Sequence, residues 1–418
     1  MPLLIHRTDA AGDAMAALSA RYRTALGYPG MAPVMSAAFI AYLLSGMMSL
    51  SLLLATERTT DSYAVAGLVA GAYAAGLAIA APVWGRLVDR RGPRLPLAVA
   101  VSLQVALVAA FIVASLTVKT PALLGVAACL AGACTPPTST VARRIMAGVP
   151  DEGVQRTLFA LSGFFTELVF VVGPLVVAGI VLFLHPLWAV GLASVASGTG
   201  ALLLRSSAAA HRLDRDAARV TAAGTHRPAR WNAAQVRVLV VITLGAFTIG
   251  GVQVSVVAHA QGLGTSEGVF VAALAVGGVV ASFLYGGLSL PGSLRLQLIV
   301  SLALYGALIL TLTTAPGFLL TAVLLLFIGA ATGPADGIEA MLVGRHTPSA
   351  AQAQAFAVLV TANWLGFAIG SAATGTLIEE VSPAAGVITA GLSALVAAAL
   401  MLPPLPRTAP DTPQSDQD

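Results

Sequence analysis

The stretch Trp84-Gly85-Arg86-Leu87-Val88-Asp89-Arg90-Arg91-Gly92-Pro93-Arg94 sets four arginines and an aspartate in a chain otherwise poor in charge. On its two sides, residues 64–84 and 95–117 form apolar runs, each close to the roughly 20 residues that a helix needs to cross a hydrocarbon core. Gly85 and Gly92 permit a tight reversal and close backbone approach, and Asp89 can pair with an arginine or sit against the positive N-terminal end of another helix. The stretch therefore reads as a charged turn between two spanning helices.

Composition extends that reading to the whole chain. Of its 418 residues 57% are hydrophobic and only 10% are charged, against about 25% charged in a typical globular protein. With a mean hydropathy of +0.89, too few polar side chains remain to furnish a water-exposed surface, so lipid must solvate most of the protein. Apolar stretches between polar or turn-rich breaks predict twelve spans, at 33–55, 64–84, 95–117, 121–142, 157–182, 186–205, 236–258, 266–288, 294–314, 317–341, 352–378 and 383–402. The 42 glycines and 23 prolines fall inside apolar runs, as suits helices packed in a membrane. Cys129 and Cys134 share one such run and read as small buried packing residues. No apolar core followed by a small-residue cleavage site opens the chain, so the first span is expected to act as the insertion signal.

With the N-terminus in the cytoplasm, twenty of the 22 basic residues fall on that side and only Arg58 and Lys119 on the other. One missed span would scramble this bias. The expected architecture is an all-α, multi-pass integral protein of the cell membrane, with twelve transmembrane helices in two six-helix bundles and both termini cytoplasmic. Its expected parts are a tail at 1–32, an N-terminal bundle at 33–205, a central cytoplasmic loop at 206–235, a C-terminal bundle at 236–402 and a tail at 403–418. The net charge of +4 reflects orientation markers, some placed to meet anionic lipid head groups, and needs no nucleic-acid partner.

The two bundles match at a constant offset of 197 residues: Gly132 with Gly329, Pro137 with Pro334, Gln155 with Gln352, Phe159 with Phe356 and Gly173 with Gly370. Duplicated halves are an architecture of secondary transporters. The charged turn, in turn, resembles the G-x-L-x-D-R-x-G-[RK]-[RK] cytoplasmic loop signature of the major facilitator superfamily. Gly85, Leu87, Asp89, Arg90, Gly92 and Arg94 fit, while Pro93 stands where a basic residue is common. With the repeat and the central loop, the resemblance covers about residues 33–402. It implies the superfamily's fold, transport by alternating access, and a latch in which the aspartate engages the eleventh span, beginning here near Ala351-Gln352. The corresponding turn of the second half, Tyr285 to Arg295, keeps glycines and a leucine but no acid, so a charge-operated latch is expected in the first half. Gly173-Pro174 resembles, incompletely, the glycine-proline motif of the superfamily's antiporters, with Val177 and Ala178 where paired glycines are usual. Physically, Pro174 removes a backbone donor and is expected to kink the fifth span.

A carboxylate near the centre of a spanning helix costs about 2.5 to 3.5 kcal/mol, so each one needs a reason. Glu167 lies near the middle of span five, on one stripe with Gly163, Phe170 and Pro174, where it suits a proton-coupling site or a counter-charge for a cationic solute. Asp336 and Glu339 follow Gly333-Pro334 near the cytoplasmic part of span ten, open to a cavity or to solvent, with Arg345 as a candidate partner. Tyr42, Gln253, Asn363 and Trp364 are candidate cavity-lining residues. Trp364 is the repeat counterpart of Glu167, and an acid opposite an aromatic suits a cationic amphiphile.

No metal-ligand spacing, phosphate loop or nucleophile elbow occurs in the sequence, which argues against an enzyme and against ATP hydrolysis. The expected function is secondary active transport: proton-coupled efflux of a small amphipathic organic compound, driven by the proton gradient without a cofactor. The expected partners are that solute and the bilayer, and no oligomer is required. Proton-coupled uptake of a small metabolite is the alternative within transport. A non-transporting membrane sensor or scaffold with the same fold is the alternative outside it.

Overall fold

A backbone in hydrocarbon has to satisfy its own hydrogen bonds. The computed structural model describes residues 16–222, 231–262, 267–288, 290–314 and 317–404, and among them the regular structure is helical, without strands. Helix α1 covers 16–27. It is followed by α2 (Met31–Thr60), α3 (Tyr63–Arg91), α4 (Arg94–Thr117), α5 (Pro121–Ala133), α6 (Thr138–Ala147), α7 (Glu152–Phe183) and α8 (Leu187–Ser206). After α9 (Ala208–Ala222) come α10 (Ala233–Gly262), α11 (Glu267–Gly287), α12 (Leu294–Thr311), α13 (Phe318–Thr332), α14 (Ala335–Arg345), α15 (Gln352–Glu380) and α16 (Pro383–Leu400).

These helices supply twelve stretches long and apolar enough to cross a membrane. Two of the twelve are broken: α5 with α6 makes one, and α13 with α14 makes another. The breaks fall at Pro136-Pro137 and at Gly333-Pro334, matching positions of the repeat, because proline cannot donate the hydrogen bond that would continue the helix. Outward-facing apolar side chains are bare, Leu182 by 77% and Phe183 by 86%, as a surface solvated by lipid requires.

Duplication reaches the level of single hydrogen bonds. Gln155 donates from Nε2 to the Ala147 carbonyl at 3.0 Å, and Gln352 donates to the Gly344 carbonyl at 3.2 Å. Phe159 and Phe356, also repeat counterparts, meet each other across the two halves with ring centroids 6.3 Å apart.

Several sequence expectations change. Because α3 continues through Arg91, Gly85, Asp89 and Arg90 are helical, and the turn shrinks to Gly92-Pro93, with Gly92 at φ +76°. Gly85 serves instead as the point where α3 lies against Ala353 and Ala357 of α15. The polar tail at 1–32 contains α1 and the start of α2, and the central loop at 206–235 contains α9 and the start of α10. Both extra helices bury a small apolar face: Leu18, Tyr22 and Ala25 from α1, Ala210 and Ala217 from α9. Arg7, Arg227, Arg230 and Arg407 lie outside the described residues. Cys129 and Cys134 are free and half-buried rather than buried. Pro174 lies in the interior of α7, where the sequence placed it, and Gly173 lets the α7 backbone touch that of Gly46 on α2.

Candidate functional site

The halves meet along a seam formed by α3, α6 and α7 on one side and α11, α14 and α15 on the other. Hydrogen bonds and ion pairs across it gather at the arginine-rich end, and Thr361 donating to the Ala78 carbonyl at 2.8 Å lies nearer the membrane middle.

Asp89, buried at the end of α3, accepts from the Ala353 amide at 3.1 Å and from the Gln354 amide at 2.8 Å. Both amides belong to the first turn of α15, where N–H groups have no acceptor inside the helix and the dipole favours an anion. Arg144 of α6 pairs with the same carboxylate and is itself buried. Arg90 is exposed. Arg94 donates its amide to Asp214 of α9 at 3.2 Å and holds its Nε 3.7 Å from the same carboxylate, which ties the turn to the extra helix.

A second charged link sits deeper. Arg143 of α6 donates from Nη2 to both carboxylate oxygens of Asp336 on α14, at 2.9 and 2.7 Å. The Nε and Nη1 atoms of this guanidinium are buried and meet no hydrogen-bond acceptor among the described residues. The Tyr42 hydroxyl neighbours Arg143 and lies 3.3 Å from the Ser162 hydroxyl. Arg345, expected beside Asp336 or Glu339, pairs instead across the seam with Glu152 at 3.0 Å. Glu339 is no solvated edge residue. It is 6% exposed, because α14 starts inside the membrane and turns this position toward Gly245 of α10.

Glu167 is half-buried, with its carboxyl against Gly278 of α11. It makes no hydrogen bond or ion pair among the described residues. One turn earlier, Gly163 faces Gly333 and Gly337, which bracket Asp336. Three carboxyl groups, of Glu167, Asp336 and Glu339, and the Arg143 guanidinium thus come together along the membrane middle.

Beside them lies a cavity of about 90 Å³ between α2, α3, the α5–α6 break, α8 and α15. Of the residues proposed from sequence as cavity wall, Tyr42 and Trp364 line it. Asn363 is half-buried and Gln253 exposed, and neither lines it. Sequence reasoning missed Arg143 and Arg144 by treating them as side markers. The signal available was Pro136-Pro137, which puts both arginines on a separate half-helix. No cluster of His, Cys, Asp and Glu able to hold a metal occurs among the described residues.

A family model described as Major Facilitator Superfamily matches residues 34–291. Among solved structures, the chain is similar to the human organic anion transporter MFSD10 (TETRAN), at 16% identity and a TM-score of 0.71, over 89% of this chain and 100% of that one. It is also similar to the proton:xylose symporter XylE, at 14% identity and a TM-score of 0.70, over 89% of this chain and 95% of that one. A bacterial homologue of the iron transporter ferroportin in its outward-facing state matches at 14% identity and a TM-score of 0.68, over 89% and 98% of the two chains. At these identities the likeness is one of fold. No curated protein matches the chain in sequence.

Proposed function

The chain belongs to the major facilitator superfamily, and from that membership we propose that it is a secondary active transporter of the cell membrane that exports a small amphipathic organic compound in exchange for protons. It works by alternating access, with both termini in the cytoplasm. The observation that carries the exchange is Glu167, a carboxyl in mid-membrane without a hydrogen-bond or ion-pair partner among the described residues. Such a group is stable in hydrocarbon when neutral or beside a cation, so a proton and a basic group of the solute compete for it. Competition at one site means exchange, and an inward proton gradient then drives solute outward. Asp89 on the α15 N-terminus, Arg143 with Asp336, and Arg345 with Glu152 hold the arginine-rich end shut. These links must part for the solute to enter from that side.

The test is transport in proteoliposomes, with a broad solute screen and a pH reporter inside. Under an imposed pH gradient the wild type accumulates its solute against a concentration gradient and moves protons the other way. Glu167→Gln folds but no longer couples the two. A Glu167→Gln protein that pumps like the wild type removes the proton role. Failure of every solute to cross favours a sensor.

A further inference from the structure

Helix α1 belongs to the first half by chain connection and to the second by contact. It sets Leu18, Tyr22 and Ala25 on one buried face, while Ser19, Arg21, Arg23 and Thr24 are exposed. A helix this short is marginal in water on its own, so α1 owes its order to the surface that its buried face meets. Much of that surface is the end of α11. The Tyr22 hydroxyl donates to the Phe283 carbonyl at 2.6 Å, and the Leu18 side chain lies on Gly287.

Phe283 is gripped by rings of the other half. Tyr22 stacks on it with centroids 4.9 Å apart and planes 7° from parallel, and Phe164 of α7 meets it at 5.5 Å. Phe164 leads on to Phe165 at 6.0 Å, and Phe165 to Phe39 of α2 at 4.8 Å. In this run of rings only Phe283 comes from the second half. Beside it, Thr157 of α7 donates to the Gly286 carbonyl at 2.9 Å. A side chain at Gly286 would run into the Tyr22 hydroxyl and Ala160 of α7, so the end of α11 is shaped to be covered.

The link from α1 to α2 is short. Residues 28–30 separate the two helices, and a chain of that length reaches about 10 Å when fully extended. Here it is folded: the Tyr28 amide donates to the Ala25 carbonyl at 3.3 Å, the Met31 amide donates to the Tyr28 carbonyl at 2.9 Å, and Gly30 sits at φ +83°. While α1 stays docked, α2 can draw away from α11 only as far as this link uncoils.

We propose that α1 is a strap: it fastens α2 to α11, holds the arginine-rich end shut, and undocks each time that end opens. The inference rests on the alternating-access reading, and it adds to the Asp89, Arg143 and Arg345 links a clasp that lies outside the spans.

The test uses the full-length protein with spin labels on noncanonical residues in place of exposed Arg91 and Ser349, which leaves thiols free for cross-linking. The distance between the labels reports opening of the arginine-rich end. Leu18→Ala combined with Tyr22→Ala raises the open population about tenfold or more, the shift expected from one lost hydrogen bond with its packing. An unchanged population in the folded double variant overturns the strap. The converse experiment is a lock. A Cβ at position 287 lies 3.3 Å from that of Leu18, close to the disulfide range of roughly 3.5 to 4.5 Å. Leu18→Cys with Gly287→Cys, in a chain carrying Cys129→Ala, Cys134→Ala and the opening substitution Asp89→Asn, cross-links on oxidation and shows only the closed distance; reduction brings the open one back. An oxidised protein that still opens, or a pair that does not cross-link, overturns the strap, and the lock alone decides if the double alanine variant does not fold. Transport is measured separately in proteoliposomes. Distances that shift as stated in a protein that moves no solute keep the strap and sink the transport reading; proton-driven transport with distances unmoved by the double alanine variant does the reverse.

Discussion

Arg143 reaches across the seam to Asp336, one terminal nitrogen donating to both carboxylate oxygens at 2.9 and 2.7 Å. The arginine side chain is 6% exposed and the aspartate 27%. Removing one member of a buried pair costs about 3 to 5 kcal/mol, because the other charge is stranded, and partial exposure of Asp336 moves this pair toward the lower end. Arg143→Gln and Asp336→Asn each lower stability by about 3 kcal/mol, and the double variant loses clearly less than the sum. Thermal unfolding in detergent completes the cycle. Additive losses mean that the two side chains do not depend on each other.

Asp89 bears on the conformational equilibrium more than on folding. Its two oxygens hold the first amides of α15 while Arg144 balances the charge. In Asp89→Asn the shape remains, but the charge that favours a helix N-terminus is gone. A charge-assisted hydrogen bond is worth about 1.5 kcal/mol or more, so the population open at the arginine-rich end rises roughly tenfold. Distances between spin labels at the end of α3 and the start of α15 report this directly. Unchanged distance distributions in the Asn variant remove the latch.

What the sequence made legible was linear pattern. Apolar run length marks spans and a constant offset marks duplication, so neither of the two needs a contact. Asp89 and the start of the eleventh span were legible through the signature resemblance. Arg143 and Arg144 were not, because a cation at the end of an apolar run looks the same whether it meets water or a buried carboxylate. Glu339 was misplaced for a related reason: the break at Gly333-Pro334 starts a new helix within the membrane, and its direction depends on packing against α10. Gln253 sits on a helix that is apolar around most of its circumference, so periodicity could not tell its exposed side from its buried one. Tyr22 and Leu18 lay in a segment too polar to suggest that it packs on α11.

Gly173 precedes Pro174 in the interior of the continuous helix α7, and its neighbour across the packing contact is the backbone of Gly46. A methyl group there has only main chain to push against, and α2 has to move. Overpacking of this kind costs about 1 to 3 kcal/mol. Gly173→Ala therefore melts earlier than the wild type, and the loss exceeds that of Val177→Ala, a truncation, only if α2 and α7 are held close. A wild-type melting temperature in Gly173→Ala contradicts the close approach.

Tyr22 makes the docking of α1 sensitive to alkali. Its hydroxyl donates to the Phe283 carbonyl at 2.6 Å and its ring stacks on Phe283 at 4.9 Å. Burial pushes the phenol from 10.0 up to about 12. The folded value lies above the unfolded one, so the neutral phenol is the form that stabilises docking. Its contribution is complete below pH 10 and is lost as pH rises through about 12, since a phenolate has no proton to donate and brings charge into an aromatic stack. Tyr22→Phe loses about 1 kcal/mol of docking energy at neutral pH but has nothing to titrate. A mobility probe at exposed Ser19 shows an alkaline release of α1 in the wild type and none in Tyr22→Phe. An identical release in both proteins assigns it to another group.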